Sequence, residues 1–507
     1  MIPHIKRWST RTPDLGSNPA EPIMAYKLLS VLSTIALAQA AVIVPGASWT
    51  DTEGNVIQAH GGGFLKACFL LVSTMVILLV SCYTSTDLET WTRQNDALTP
   101  ISGTMISTSD VVERPKVIFN SKNSEYVMWF HSDTSNYGAA MVGVATAKTP
   151  CGPYTYKSSW KPLGSDSRDE GLFLDDDGTA YLLYASDNNQ DFKISMLDAN
   201  YYNVTEQVSV LTGATLEAPG VVKRDDIYYL IASHTSGWDP NPNKVFTASS
   251  LAGPWSAQVD IAPEDTNTYY SQNAYDMLLG TNGIYMGDRW DVSALGSSTY
   301  IWFPLSWTSG LPVIVEADVW SVDLAAGTYT IATGTTYEAE SGTLGGSSEL
   351  LTDSSYSGGE AVGYLGNGGT LTLNNILGIG EAQWISLYYA NGDSTWRNTT
   401  LSVNGGANVV IQQPSSGGGH VIQQIMLEIL IRSLYIQQRK DLGKLNLSVT
   451  IVSGYIGYLC CACGSQVLVE CVRLFGLLSF FHPRHDGVVY RPDHLTALGF
   501  GVDMKAP

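Results

Sequence analysis

The sequence predicts an all-β protein in which a five-bladed β-propeller is followed by an incomplete β-sandwich. The composition is one reason: the chain has 49 glycines, 27 tyrosines and 13 tryptophans but only 15% charged residues, as expected of a turn-rich, aromatic β protein. A strand–turn–strand unit that recurs about every fifty residues is typical of propeller blades. The length of 507 residues exceeds one ordinary core, so two or more domains are expected.

Residues 1–40 are predicted to be a leader and signal peptide. From Met24 the chain reads MAYKLLSVLSTIALAQA, with a lysine, a short apolar run and an Ala-Gln-Ala cleavage pattern that ends at Ala40. We interpret residues 1–23 as an extension from an upstream start codon. A signal peptide predicts a secreted, extracellular protein, in which Cys82 and Cys151 could form a disulfide.

Residues 41–325 carry the repeated unit and are assigned to the propeller. In each repeat a polar residue precedes an apolar strand, a turn rich in Asn, Asp and Gly follows, and an aromatic strand comes next. The innermost strands of a propeller converge on its axis, so the leading residues should face one central pocket. The five strand starts are IQAHGGGFLK from Ile57, VVERPKVIFN from Val111, SRDEGLFLDDDGT from Ser167, TLEAPGVVKRDDI from Thr215 and YYSQNAYDMLLG from Tyr269.

Four of the leading residues are Glu113, Asp169, Glu217 and Gln272, separated by 56, 48 and 55 positions. Carboxylates that face each other across a pocket move each other's pKa, one upward while another stays ionised. Glycoside hydrolysis needs such a pair, because an acid must protonate the leaving oxygen. Glu217 is the candidate acid, Asp169 would orient it and raise its pKa, and Glu113 would bind sugar hydroxyls. The alternative for Glu217 is a structural anion.

Aromatic and amide side chains of the same repeats suit a sugar ligand. Tyr137, Trp238 and Trp290 could stack on the apolar faces of pyranose rings, and Asn189 could read hydroxyl groups. Core packing is the alternative for any single ring. The net charge of -20 argues against a nucleic-acid partner. We therefore expect a polysaccharide as the partner, no membrane association and a monomer.

These repeats resemble glycoside hydrolase family 43, and within it the fungal exo-β-1,3-galactanases. The resemblance implies a five-bladed propeller that inverts the anomeric centre and releases galactose from the β-1,3-galactan main chains of arabinogalactan, without a catalytic cofactor. The stretches that carry it are VVERPKVIFN, MWFHSDTSNYGAAMVGVA, DSRDEGLFLDDDGTAYLLYASDNNQDF, TLEAPG and IASHTSGWDPNPNKVF.

Carried over by position, Glu217 matches the family's general acid and Asp169 its pKa modulator. The usual base aspartate of the first blade is missing, since that strand reads QAHG from Gln58. Gln272 matches a glutamine thought to hold the attacking water. The imino tautomer of Gln272 and an indirect action of Glu113 stay open as ways to activate that water. The positions expected to contact sugar are Glu113, Tyr137, Asn189 and Thr235.

Residues 336–421 form the second predicted domain. The stretches YEAESGTL and WISLYYANGDSTWRNTTLSVNGG resemble carbohydrate-binding module family 35, a β-sandwich. In this resemblance Glu338 and Glu340 match the ligands of a structural calcium, which prefers oxygen donors. A solvated strand end is the alternative for the two glutamates.

Two segments depart from the family pattern. Residues 67–82, ACFLLVSTMVILLVSC, are apolar but short for a membrane span, and we interpret them as retained intron or mis-joined sequence, with a buried strand as the alternative. Residues 422–507 turn basic and cysteine-rich, and we interpret them as a frameshifted tail that leaves the sandwich without its last strands. The two segments would damage the first blade and leave the binding module unfolded, so the chain as written would lack activity even if its parent gene is active.

Two other functions fit the same residues. A propeller lectin would bind sugar in the same pocket without cleaving it. A family 43 arabinofuranosidase or xylosidase would cleave a different sugar, although the missing first-blade aspartate speaks against it.

Overall fold

The computed structural model describes the chain in segments, which run from 42 to 499 with gaps. The predicted signal peptide, most of the apolar segment 67–82 and the connections within 422–507 lie outside the described residues. The described ranges are 42–65, 79–292, 295–353, 356–365, 368–378, 383–391, 397–413, 423–429, 445–454, 467–476 and 495–499.

The described residues are almost entirely β-strand, as predicted. The first sheet contains β1 (Gly63–Leu65), β2 (Val80–Ser85) and β3 (Thr92–Leu98), and residues 495–499 pair between β1 and β2. The second sheet is built from consecutive strands that meander outward: β4 (Asp110–Asn120), β5 (Glu125–Thr134), β6 (Met141–Ala147) and β7 (Thr155–Trp160).

Three further four-stranded antiparallel sheets repeat this consecutive order. One contains β8 (Glu170–Leu174), β9 (Ala180–Ser186), β10 (Asp191–Leu197) and β11 (Val204–Leu211). The next contains β12 (Leu216–Arg224), β13 (Ile227–His234), β14 (Lys244–Ala248) and β15 (Val259–Asp260). The last contains β16 (Gln272–Leu279), β17 (Asn282–Arg289), β18 (Thr299–Ser306) and β19 (Val313–Ile314). Sheets of this order are the blades of a propeller-like arrangement.

Glycines let the inner strands approach one another closely at the axis. A Cβ atom on Gly171 of β8 would lie 2.5 Å from the carbonyl oxygen of Pro219 in β12. A Cβ atom on Gly220 would lie 2.3 Å from Oδ2 of Asp276 in β16. A larger residue at Gly171 would have to move the backbone of β12, and one at Gly220 would have to displace the buried carboxylate of Asp276.

Apolar side chains fill the space between successive sheets. One buried cluster joins the fifth sheet to the first through Trp302, Phe64 and Trp91. The Cys82–Cys151 disulfide, which the sequence suggested, links the first sheet to the turn after β6 with a Cα–Cα distance of 5.5 Å. The backbone N–H of Val322 donates a hydrogen bond of 3.1 Å to Oε1 of Glu89, which ties the segment after the fifth sheet to the first sheet.

The segment that closes the propeller is a hairpin of β20 (Trp320–Asp323) and β21 (Thr328–Ile331). Ile43 forms a β-bridge with Trp320. The described residues also contain short helical turns, and no helix among them is long and apolar enough to span a bilayer. The turns are Pro162–Gly164, Glu264–Thr266, Asn267–Tyr270, Leu295–Ser297, Ala339–Ser341 and Ser357–Gly359.

Two antiparallel sheets follow the propeller-like part. Their strands are β22 (Gly334–Glu338), β23 (Thr343–Gly345), β24 (Glu349–Thr352), β25 (Glu360–Gly363), β26 (Thr370–Gly378), β27 (Gln383–Asn391), β28 (Arg397–Val403), β29 (Val409–Gln413), β30 (Gln423–Ile429), β31 (Leu445–Gly454) and β32 (Val467–Gly476). One sheet has the order β24-β25-β32-β27-β30, with β22 also on β32, and the other has the order β23-β26-β31-β28-β29.

The strand pairing extends beyond residue 421, where we expected the second domain to end. The strands β31 and β32 lie inside the two sheets, and β33 (Leu495–Gly499) is the strand that pairs between β1 and β2. The segments LNLSVTIVSG and VLVECVRLFG are rich in apolar and β-branched residues, which suits inner strands. The expected loss of the last strands therefore differs from the pairing observed. A gene-model origin of residues 422–507 stays a prediction.

Candidate functional site

A pocket of about 220 Å³ lies where the leading ends of the inner strands meet. It brings together eight of the nine residues that the sequence singled out for catalysis or sugar binding. The ninth, Thr235, is not part of this wall; its backbone N–H donates to the carbonyl of Thr215 at 3.1 Å. The eight are Glu113, Tyr137, Asp169, Asn189, Glu217, Trp238, Gln272 and Trp290, and the wall also includes Gly61, Arg114, His131, Arg168 and Gly237.

Bulges in the inner strands aim the leading side chains at this pocket. The pairing register shifts between Glu113 and Lys116 in β4 and between Glu217 and Gly220 in β12. Arg114 and Ala218, which follow the two glutamates, have positive φ values of 49° and 53°. A bulge adds a residue to one strand and re-aims its neighbour, so each glutamate points inward while the rest of its strand stays in register.

Glu217 is buried and is only 7% exposed. Its Oε1 accepts a hydrogen bond of 2.9 Å from Nε2 of Gln272, and its Oε2 accepts one of 3.4 Å from Nδ2 of Asn189. Burial and, next, the negative charge of Asp169 raise the pKa of Glu217 to about 8. The carboxyl group therefore holds a proton at neutral pH, as a general acid must.

Asp169, a second carboxylate of the pocket, is held by an ion pair with Arg114. Its Oδ2 lies 2.6 Å from Nε of Arg114 and also accepts the backbone N–H of Ala218 at 3.2 Å. Ala218 directly follows Glu217 in the chain, so this hydrogen bond ties the carboxylate of Asp169 to the backbone next to Glu217. Asp169 is thereby placed to act on Glu217 through its charge.

The amide of Gln272 has a partner at each of its four hydrogen-bonding positions. Its Oε1 accepts N–H groups from Arg114 at 2.5 Å and from Trp290 at 2.8 Å. Its Nε2 donates to Glu217 and, at 3.1 Å, to Oγ of Ser233. The carbonyl end faces the guanidinium, and the NH2 end faces the candidate acid.

A left-handed turn delivers Gln272 to the pocket. Residues Asn267–Tyr270 are four successive non-glycine residues with φ between 46° and 56°. Oγ1 of Thr268 accepts hydrogen bonds from the backbone and side-chain nitrogens of Asn243 at 2.7 and 3.1 Å, and Nη2 of Arg289 donates to the carbonyl of Tyr269 at 2.8 Å. Such a conformation is costly outside glycine, so these contacts must hold it in place.

Glu113 is held by two donors. Its Oε1 accepts the hydroxyl of Tyr137 at 2.5 Å, and its Oε2 lies 3.2 Å from Nδ1 of His131. Although burial opposes ionisation, the hydrogen bond and charge of His131 and the hydrogen bond from Tyr137 lower the pKa of Glu113. The group is therefore a fixed anion, suited to accept hydrogen bonds from hydroxyl groups.

Two half-buried indole rings complete the pocket. Trp238 and Trp290 meet edge to face with ring centroids 5.3 Å apart, and Trp290 also contacts His60 at 5.5 Å. Of the two, Trp290 donates to Gln272, so its position is coupled to the catalytic side. An indole face in such a pocket suits the apolar face of a pyranose ring.

Sequence reasoning missed the charged residues that hold the leading side chains. Arg114 and Arg168 lie directly beside Glu113 and Asp169 in the chain, in VVERPK and SRDE. Because each arginine is next in sequence to a carboxylate predicted to face the pocket, the sequence could have been used to predict both as pocket residues. His131 had none, because it lies on β5 and a lone histidine in an apolar strand is not distinctive.

The described residues offer two places that could hold a cation. Ligand atoms of Glu113, His131 and Asp169 lie within 4.8 Å of one another, but both ring nitrogens of His131 face carboxylates and Asp169 is paired with Arg114. In the second domain, Oε2 of Glu338 and Oε2 of Glu340 are buried without a hydrogen-bond partner. Burial, together with the charge of Glu338, raises the pKa of Glu340. Two such orphaned oxygens fit a calcium ion.

Comparison with known proteins gives the family. The family model described as glycosyl hydrolases family 43 matches residues 66–281. The crystal structure of an exo-β-1,3-galactanase from Phanerochaete chrysosporium with galactose is 62% identical, covers 85% of this chain and 100% of its own, and superposes with a TM-score of 0.70. The chain belongs to glycosyl hydrolase family 43. This family 43 protein is therefore a glycoside hydrolase.

Two further structures resemble the family 43 enzyme. A variant of the Phanerochaete chrysosporium galactanase with β-1,3-galactotriose is 61% identical, covers 86% of this chain and 100% of its own, and has a TM-score of 0.70. An exo-β-1,3-galactanase from Clostridium thermocellum is 26% identical, covers 77% of this chain and 100% of its own, and has a TM-score of 0.52. No curated protein sequence gives a significant match.

Proposed function

We propose that this family 43 enzyme is a secreted, exo-acting galactan 1,3-β-galactosidase that releases galactose from β-1,3-galactan with inversion. The observation that carries the proposal is the buried Glu217, whose pKa is raised to about 8 beside Asp169 in a pocket lined by tryptophans. The substrate is suggested by the relatives whose structures contain galactose and β-1,3-galactotriose. A pocket of about 220 Å³ suits the terminal sugar of a chain.

In the proposed reaction Glu217 donates its proton to the glycosidic oxygen as the bond to the anomeric carbon breaks. Water then adds to the anomeric carbon from the opposite face of the ring, which inverts the configuration, and the water's proton passes either to the imino tautomer of Gln272 or, indirectly, to the carboxylate of Glu113. The charge of Asp169 keeps the proton on Glu217 until the leaving oxygen takes it. Glu113 and Tyr137 bind hydroxyl groups of the terminal sugar, and Asn189 and Trp238 complete the pocket.

Gln272 is the residue that we assign to the attacking water. Because its amide is fully hydrogen-bonded, it must exchange one partner for water, and Nε2 is the end that faces Glu217. Giving up that hydrogen bond would also free Oε1 of Glu217 to face the glycosidic oxygen. The exchange would couple water binding to the release of the acid.

We also propose a more detailed fold than family membership alone gives. We propose that the five four-stranded sheets form a five-bladed propeller, with residues 495–499 filling the first blade. The second domain would be a carbohydrate-binding module of family 35, with a structural calcium at Glu338 and Glu340. Calcium removal with a chelator should then lower the Tm of the second domain, and Glu338→Gln should abolish that effect of the chelator.

The test is galactose release from linear β-1,3-galactan by the wild-type enzyme and by Glu217→Gln. We expect kcat to fall by about 10²–10⁴-fold in the variant, the usual contribution of a general acid. Galactotriose binding, measured by calorimetry, should be kept. Equal rates for the two proteins would refute the assignment of Glu217.

The two alternatives predict different results from the same enzyme preparation. A lectin would bind galactotriose and release no galactose in the wild-type form. An arabinofuranosidase or xylosidase would hydrolyse aryl arabinofuranosides or xylosides faster than aryl β-galactosides. Proton NMR of the first-formed sugar distinguishes inversion from retention, since inversion gives α-galactose first.

A further inference from the structure

We propose that His131 and Asp133 form a positioning pair that fixes the carboxylate of Glu113 and the ring of Tyr137 for sugar recognition. The proposal rests on the proposed function, because it takes Glu113 and Tyr137 as substrate-binding residues. His131 and Asp133 lie two positions apart on β5, so their side chains share one face of the strand.

The imidazole of His131 lies between two carboxylates. Its side chain is 1% exposed, with Nδ1 3.2 Å from Oε2 of Glu113 and Nε2 2.9 Å from Oδ2 of Asp133. Ionised carboxylates only accept hydrogen bonds, so both ring nitrogens must carry hydrogen and the ring is an imidazolium. Burial favours the neutral ring, but the hydrogen bonds to Asp133 and Glu113 outweigh it and raise the pKa of His131 to about 9.

Asp133 also closes the loop that carries Tyr137. Its Oδ1 accepts the backbone N–H of Thr134 at 2.8 Å and that of Ala139 at 2.7 Å. Between them, Tyr137 has a positive φ of 54°, and its hydroxyl donates to Glu113. Hydrogen bonds therefore run in a closed ring from Glu113 through His131, Asp133 and the loop to Tyr137 and back to Glu113.

The closed ring of hydrogen bonds keeps the carboxylate of Glu113 ionised and fixed in the pocket. A carboxylate that is ionised and immobile accepts hydrogen bonds from sugar hydroxyls without first losing a proton or a rotamer. Without the imidazolium, Glu113 would face the nearby charge of Asp169 in a buried site with one donor fewer, and its ionised form would be disfavoured. The pair thus acts on sugar affinity through Glu113.

The two nitrogens of the His131 imidazole have different partners, so a substitution can remove one hydrogen bond and keep the other. His131→Gln keeps a nitrogen that can reach Asp133 and loses the donor to Glu113, whereas His131→Asn does the reverse. Asp133→Asn removes the charge behind the ring. The matched control is Ser132→Ala on the same strand, because the Ser132 hydroxyl bonds Met105 and Ser159 instead of the pocket.

The experiment measures the Kd for galactose by calorimetry, and KM and kcat on β-1,3-galactotriose, for each full-length variant. We expect His131→Gln and Asp133→Asn to raise Kd and KM by about 10–100-fold, the range for losing a hydrogen bond to a charged group, with kcat within about threefold of wild type. His131→Asn should bind galactose more tightly than His131→Gln. Unchanged Kd and KM in both His131→Gln and Asp133→Asn, or a loss confined to kcat, would overturn the proposal.

A measurement on the wild-type enzyme covers the case in which the variants fail to fold. Nitrogen-15 NMR of histidine-labelled protein at pH 8 should show a ring that is protonated on both nitrogens, and a spectrum without such a ring would overturn the proposal. Loss of that signal on adding calcium or zinc would do so too, because the cluster would then be a metal site. Failure of the wild-type enzyme to release galactose would refute the proposed function alone, since the NMR result does not depend on turnover.

Discussion

The NH2 group of Gln272 donates a hydrogen bond of 2.9 Å to Oε1 of Glu217, while the carbonyl oxygen of the same amide accepts N–H groups from Arg114 and Trp290. The two donors fix which end of the amide faces the acid. A flipped amide would place a carbonyl oxygen against Glu217 and NH2 hydrogens against two other donors. Trp290 therefore helps to fix the amide that contacts the proposed acid.

Trp290→Phe should lower kcat by about 3–10-fold, because it keeps an aromatic wall and removes one neutral hydrogen bond of about 1 kcal/mol from Gln272. Steady-state kinetics on β-1,3-galactotriose measure the change. The matched variant is Trp238→Phe, whose ring packs against Trp290 and lies on the same wall. It should mainly raise KM. A drop in kcat of the same size in both variants would contradict a separate role for the Trp290 N–H.

The pH profile should report the protonation of Glu217. Its pKa in the free enzyme is raised to about 8, so kcat/KM should fall as the pH rises through about 8 and the acid loses its proton. Asp169→Asn removes a negative neighbour and leaves the Arg114 charge unpaired, and both changes favour the ionised form of Glu217. The alkaline limb of the Asp169→Asn profile should therefore move to lower pH. A limb that stays in place or moves upward would show that Asp169 does not control the acid.

The leading residues of the pocket were predictable because the chain repeats. A polar residue ahead of each inner strand could be aligned across Glu113, Asp169, Glu217 and Gln272 without any structure, and blade geometry required the four to converge. The choice of disulfide partners was narrow for a simpler reason, since only Cys68, Cys82 and Cys151 precede the crowded cysteines after residue 459. A repeated pattern and a residue type that occurs only a few times are features from which a structure can be predicted.

The charged residues that hold the leading side chains in place, such as Arg114, could not be predicted in this way. The guanidinium of Arg114 reaches Asp169 on one neighbouring strand and Gln272 on another only because a bulge turns its backbone to a positive φ. The first sheet was harder still, since a strand at residues 495–499 pairs with β1 and β2 across more than four hundred residues of chain. Pairings of that separation leave no local pattern.

The left-handed turn before Gln272 should depend on Asn243. Asn243 is fully buried, and its side chain bonds Thr268, the carbonyl of Ser271 and the backbone N–H of Asn273. Asn243→Ala should lower the free energy of unfolding by about 2–3 kcal/mol, because buried partners are left unsatisfied. It should also lower kcat, since Gln272 loses its fixed position. Urea unfolding and steady-state kinetics measure the two effects.

Tyr270→Gly is the control for that turn. Tyr270 is 60% exposed and has a φ of 56°, so glycine relieves the left-handed strain and loses little burial. The variant should be as stable as wild type or more stable, by up to about 1 kcal/mol. A clear loss of stability in Tyr270→Gly would mean that the tyrosine side chain, rather than the backbone contacts, holds the turn.

The contact between Glu89 and Val322 should make the joint between the first sheet and the closing hairpin lose stability as the pH rises from about 4.5 to about 9. Burial, and to a smaller extent the charge of Asp87, raises the pKa of Glu89 from an ordinary 4.5 to about 9. A carboxyl group with a raised folded-state pKa contributes its full stability below pH 4.5, and this contribution is lost as the pH rises toward 9. Glu89→Gln keeps an oxygen that can accept from the Val322 N–H and cannot ionise. The variant should match the wild-type Tm at pH 4 and exceed it at pH 8, whereas Glu53→Gln, a change at an exposed glutamate, should alter neither. If the Tm of Glu89→Gln at pH 8 falls below that of the wild type, the joint must depend on a charged Glu89, and its burial does not keep the group neutral.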